Sequence, residues 1–519
     1  MSYFKYNHSR KIAPRLPTLV LWLAAIVILP AWIIGQEPAP VSPQEPAPEP
    51  VYQLSPDQIE KIETFVANQM RLGKMPGLSV VLVRGSQTLY KKGFGFADRK
   101  TREPVTPATL FELGSTSKAF TALGVLLLQR RGLISLDDPV DRYIHWLKFK
   151  YRGKEVPVSI HQLLHQSSGI PFNTIGTIPP LEGDDALDLT VKTLRGQSLA
   201  HQPGQKFLYA TINYDVLGLL IQTLSGESYE DYMKEKVLLP LGLTSTYLTR
   251  KEALERGLAQ GYKLFFKKPL AYRAPYYRGN VPAGYVITNG DDLERWLKIQ
   301  LGTIEPEGFP LELISKTHER DPQLPDSPYG MGWFVLPGRA DILHGGQNPN
   351  YASLFILNPD LELGIGVLAN LNSDFVGETG LGILAILMGR EPRISAGDFN
   401  AKMDNASTLI LIAGIPLLIL AFILFCILVG RIIRKQRQYR RRGPIGIITA
   451  ISVSLLFLAF VYLIFSFPTL IGYAVPWSFV TVWQPATLSM AAITLVSLIF
   501  FLYLYFLFRF FTLPVAARQ

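Results

Sequence analysis

Three apolar runs, at about 408–430, 444–466 and 486–508, close this chain of 519 residues, and each is near the ~20 residues that a membrane-spanning helix requires. Arg431, Arg434, Lys435, Arg437, Arg440, Arg441 and Arg442 crowd the loop between the first two runs. Such a cluster places that loop in the cytoplasm, whereas the uncharged loop at 467–485 faces outward. The parity then closes: basic N-terminus in, residues 36–407 out, basic loop in, Arg509 and Arg518 in. Residues 408–519 hold no acid and no histidine, which argues against proton or ion transport. The plain reading of the three helices is an anchor. The sharper one is a packed bundle for substrate entry or partner docking.

A hydrophobic content of 48% with only 18% charged residues fits a globular core beside membrane segments and excludes a disordered chain. The net charge of +10 suggests nucleic acid until its distribution is examined. Lys5, Arg10, Lys11 and Arg15 near the start and nine basic residues after 407 exceed it by themselves, so the part between is mildly acidic and no nucleic-acid partner is expected. Residues 1–35 read as a signal peptide or an N-terminal anchor, with the apolar run at 17–34 behind a basic lead. Residues 36–50 are proline-dense and form a stiff spacer. They leave 51–400 as an exported globular domain and 401–519 as a membrane domain. The one cysteine, Cys426, lies inside an apolar run, which removes disulfides, thiolate zinc sites and a cysteine nucleophile from the globular part.

Within 51–395, strand-like segments cluster at both ends (Leu78–Arg84, Thr88–Lys91, Leu354–Leu357, Leu363–Leu368) and helical runs such as 118–131 and 215–225 lie in the middle. An α+β domain follows, with the terminal segments meeting in one antiparallel sheet and a helical lobe inserted between them.

Ser115 and Lys118 are three apart at the start of the helix that follows Gly114, so they share a face, with the hydroxyl at the positive end of the helix dipole. A serine hydroxyl is a weak nucleophile, and a desolvated lysine amine can take its proton. The apolar run behind Lys118 makes that lysine hard to leave in water. No Gly-x-Ser-x-Gly elbow occurs, so an α/β-hydrolase lacks its nucleophile. His161 and His165 stand at i and i+4 without the acidic residue of His-Glu-x-x-His, so no metal is expected, and His165 is read as anchoring the turn into Ser167.

The motifs Phe111-Glu-Leu-Gly-Ser-Thr-Ser-Lys118, Leu163-Leu-His-Gln-Ser-Ser-Gly-Ile-Pro171, Pro203-Gly-Gln-Lys-Phe-Leu-Tyr209, Tyr329-Gly-Met-Gly-Trp333 and His344-Gly-Gly346 resemble the serine β-lactamase-type hydrolases over about 60–395. That branch holds class C β-lactamases, D-amino-acid peptidases, low-molecular-weight penicillin-binding proteins and related esterases. The resemblance implies the serine β-lactamase fold and an acyl-enzyme on Ser115, with Lys118 as proton acceptor and Tyr209 as the tyrosine that shuttles the proton to the leaving group. Thr211 stands where the family usually has asparagine, which weakens contacts to a β-lactam side-chain amide. His344, Gly345 and Gly346 match the Lys-Thr-Gly strand element with histidine in place of lysine. By resemblance, the backbone N–H groups of Ser115 and Gln347 form the oxyanion hole. Losing the lysine removes a fixed cation for a substrate carboxylate, so ordinary β-lactamase or carboxypeptidase activity becomes less expected. No cofactor is implied.

An exported domain of this kind followed by three spans is similar to the inner-membrane peptidases that activate nonribosomal-peptide prodrugs, the colibactin-activating peptidase being the type. That similarity implies a small-molecule or peptide substrate with a lipid tail, removal of an N-acyl-D-amino-acid group, and an exporter as delivery partner. The alternatives are a cell-envelope penicillin-binding-like peptidase or esterase, and a catalytically silent binding or sensor protein.

Overall fold

The computed structural model describes residues 51–393, 397–470 and 474–515. The expected leader and the proline spacer at 1–50 lie outside them.

Seven antiparallel strands form the central sheet, in the order Phe334–Val335, Ile342–Asn348, Tyr351–Asn358, Leu363–Ala369, Gly77–Arg84, Gln87–Asp98, Glu103–Pro104. Its two halves come from the two ends of the domain, joined where Leu78 pairs with Ala369 and Leu82 with Ile365. Alternation along the strands feeds two cores. Leu78, Val80, Leu82, Leu354 and Ile356 face the helices Pro56–Gly73 and Phe375–Leu387, and Val81, Val83, Phe355 and Leu357 face the inserted lobe. The first pair of helices packs so closely that a Cβ on Gly382 would stand 2.2 Å from the Phe65 ring. On the other face, Phe120 of Lys118–Arg130 stacks on Trp296 of Gly290–Gln300 at 3.9 Å, which fixes the two helices to each other. This is the sheet and inserted lobe that the alternation implied.

The three C-terminal apolar runs form the helices Phe399–Ile433, Pro444–Leu470 and Ala486–Phe510, each long and apolar enough to cross a membrane. Their outer surfaces expose many large aliphatic and aromatic side chains, among them Leu409, Ile412, Leu455, Leu456 and Ile493, a surface that water does not tolerate over such an area. The first helix begins at Phe399, ahead of its apolar run, because Asp398 caps it by accepting from the Ala401 N–H. Its 35 residues rise about 50 Å, beyond the ~30 Å of a bilayer core, so its first turns stand clear of the apolar slab. Those turns dock on the globular domain. Asp404, 1% exposed, accepts from the Lys267 N–H at 2.6 Å and from the Thr487 hydroxyl at 2.6 Å, tying a domain hairpin to the first and third long helices. At the opposite end, Arg437–Tyr439 pairs antiparallel with Thr512–Pro514, which sets the basic loop beside the end of the third helix.

Candidate active site

Gly114 makes the site possible. Its φ of +59° is open to glycine, and a Cβ there would lie 2.4 Å from the Gln347 nitrogen. Gly346 is equally confined, since its Cβ would fall 1.8 Å from the Leu113 carbonyl oxygen. The backbone of the strand Ile342–Asn348 therefore lies directly against the turn that carries Ser115, the juxtaposition an oxyanion hole from Ser115 and Gln347 requires.

Ser115 sits in the short turn Gly114–Ser117 and is the partly exposed member of it. The next residue on its face, Lys118, is fully buried at the head of Lys118–Arg130. Its Nζ donates to Ser115 Oγ at 3.1 Å and to the Ala283 carbonyl at 2.7 Å. Burial pulls its pKa down to about 7, partly countered by the carboxyl of Asp215. A large share of Lys118 is thus neutral near physiological pH, with a lone pair available for the serine proton.

Tyr209 completes the group. Lys118 Nζ lies 5.2 Å from its ring centroid, and its hydroxyl faces Ser115 and Thr211 without completing a hydrogen bond of good geometry to either. Burial raises its pKa, so it stays a phenol that can pass a proton on rather than a standing phenolate. Tyr209→Phe should slow acylation by roughly 10²–10⁴-fold with little change in substrate binding, since only the hydroxyl is lost. Steady-state turnover checks this; an unchanged turnover number would make Tyr209 a packing residue.

His344 is 2% exposed: its Nε2 lies 3.1 Å from the Tyr329 hydroxyl and its Nδ1 2.7 Å from the Gly345 carbonyl. Its ring packs 6.2 Å from Tyr209 and 5.0 Å from Phe334, centroid to centroid. Burial, helped by the nearby Lys118, lowers its pKa to about 3, so the imidazole is neutral and supplies no cation. Gly345 and Gln347 are exposed along the same strand, and Thr211, 6% exposed, lines the cleft beside Ser115.

His165, 1% exposed, ends its helix with its N–H on the His161 carbonyl and its Nδ1 3.4 Å from the Tyr329 carbonyl. Beside it Gln166, held at φ +57°, has an Oε1 that accepts from the Ala210 N–H at 2.9 Å and from Asn213 at 2.6 Å, pinning the segment that carries Tyr209. Two further groups escaped sequence reasoning. Asp215 is fully buried, accepts from Asn280 at 3.1 Å, and has its carboxyl pushed well up by burial. Glu112, also fully buried, binds Arg250 at 2.7 Å and Asn348 at 2.8 Å, joining the strand before the nucleophile to the end of the Gly346 strand.

Comparison with known proteins agrees with this geometry. The family model described as Beta-lactamase matches residues 62–386. Protein flp of Staphylococcus aureus (strain COL) is 29% identical over 446 residues, covering 85% of this chain and 89% of that protein. Penicillin-binding protein 4* of Bacillus subtilis (strain 168) is 28% identical over 320 residues, 57% of this chain and 68% of that one. Among solved structures, the octameric penicillin-binding protein homologue from Pyrococcus abyssi matches with a TM-score of 0.58 and 28% identity, over 67% of this chain and 80% of that chain.

Proposed function

Because this chain belongs to the β-lactamase family of serine hydrolases, we propose that it is a membrane-bound peptidase or amidase that works through an acyl-enzyme on Ser115, outside the cytoplasmic membrane. Its substrate is a nonribosomal-peptide-type precursor from which it removes an N-acyl-D-amino-acid group. The observation that carries the reading is the Lys118 Nζ, buried and 3.1 Å from Ser115 Oγ. In the forward step the Ser115 proton passes to Lys118, Oγ bonds to the acyl carbon, and the departing amine takes a proton by way of Tyr209; water then releases the acid by the same route. The buried, neutral His344 supports an amide substrate over one recognised through a carboxylate. The pairing of the basic loop with the end of the third helix supports three spans with both in the cytoplasm.

A second reading, a cell-envelope penicillin-binding-like peptidase or esterase, is favoured by the match to penicillin-binding protein 4*. One experiment separates them. Intact spheroplasts carrying the full chain should release the fluorophore from a membrane-impermeant N-acyl-D-amino-acid amide. Release only after lysis would reverse the orientation, and cleavage of D-alanyl-D-alanine peptides or simple esters with the amide untouched would select the second reading.

A further inference from the structure

The loop joining the second and third long helices does not merely turn. It carries the short helix Trp477–Trp483, and Phe479, Val482 and Trp483 of that helix line the same cleft, about 180 Å³ in volume, as Ser115, Thr211 and Gln347. The Phe479 and Trp483 rings stack at 5.0 Å and form one continuous apolar plate. The lobe adds the apolar Ile175 and Ile178, Asn280 and Asn348 add polar groups, and no residue lining the cleft, among those described, is charged. The helix is fixed there from two sides. Lys263, 7% exposed, donates to the Thr481 and Val482 carbonyls at 2.7 and 3.0 Å, placing a cation-bearing side chain at the helix C-terminus. Gly176 lets the lobe close on the helix's entry, since a Cβ at that position would lie 2.6 Å from Pro476 Cδ.

Resting on the hydrolase reading above, we propose that the helix Trp477–Trp483 is a specificity wall: it takes an aliphatic acyl chain of the substrate while the adjoining carbonyl meets Ser115. A water-soluble hydrolase has no reason to borrow a wall from between two apolar helices. An acyl-tailed amphiphile arriving from the apolar slab meets that wall first, and each methylene it buries adds affinity without needing a polar partner.

The test uses the full chain in lipid nanodiscs and p-nitrophenyl esters from two to eight carbons. Wild-type kcat/KM should rise about threefold per added methylene. In Phe479→Ala and Trp483→Ala the eight-to-two-carbon ratio should fall by about tenfold, because an apolar plate is replaced by open volume. Lys263→Met, which frees the helix without touching the cleft surface, should flatten the series in the same direction. Matched thermal melting keeps misfolding out of the comparison. A flat wild-type series, or variants parallel to wild type, would overturn the wall. A wild type inactive on every ester, with no fluorophosphonate labelling, would instead remove the hydrolase reading beneath it.

Discussion

Replacing Ser115 by alanine should abolish hydrolysis and fluorophosphonate labelling, lowering kcat by roughly 10⁴-fold or more, while the melting temperature stays within a few degrees of wild type. The change deletes one oxygen from a residue that is already partly exposed, and the turn around it is set by Gly114 and by Thr116, whose hydroxyl bonds the Leu113 carbonyl at 3.0 Å. The buried Lys118 Nζ loses its bond to Ser115 Oγ but keeps the one to the Ala283 carbonyl at 2.7 Å. Retained turnover in the alanine variant, measured on the purified full chain, would mean that another group forms the covalent bond.

Lys118→Met carries the second large effect, and its two readouts move in opposite directions. Activity should drop by about 10²–10⁴-fold through loss of the base. Stability should not drop, and near or below pH 7 should rise, because burial disfavours the charged amine, and methionine fills similar space without it. The sign follows from the pKa of about 7: the folded state resists a proton that the unfolded chain keeps up to its ordinary value, so the penalty is fullest below pH 7 and fades as pH rises. The same value shapes the wild-type profile. Log kcat/KM should climb through an apparent pKa near 7 as Lys118 becomes neutral, and in the methionine variant that limb should vanish. A limb that survives Lys118→Met belongs to another group.

What could be read from the chain alone was whatever depends on short spacing. The three-residue step from Ser115 to Lys118, the alternation in Leu78–Arg84 and Leu363–Leu368, and the length of the apolar runs are local signals, and each corresponds to an element in the fold. The Glu112–Arg250–Asn348 network is different in kind, since its members stand 138 and 236 residues apart and only the finished sheet brings them together. The loss of a fixed cation at His344 was legible from its motif, whereas the packing of its neutral imidazole among Tyr209, Tyr329 and Phe334 depends on the finished fold. The absence of charge in the loop at 467–485 predicts that it faces outward; that Phe479 and Trp483 line the Ser115 cleft depends on the docking of Asp404 and Lys263, which no periodicity encodes.

The most direct test of the account is the site of covalent attachment. Full-length protein labelled with a fluorophosphonate, digested and sequenced by tandem mass spectrometry, should carry the adduct on Ser115, with labelling that accelerates as pH rises through about 7. An adduct on Ser117 or Ser168 would contradict it.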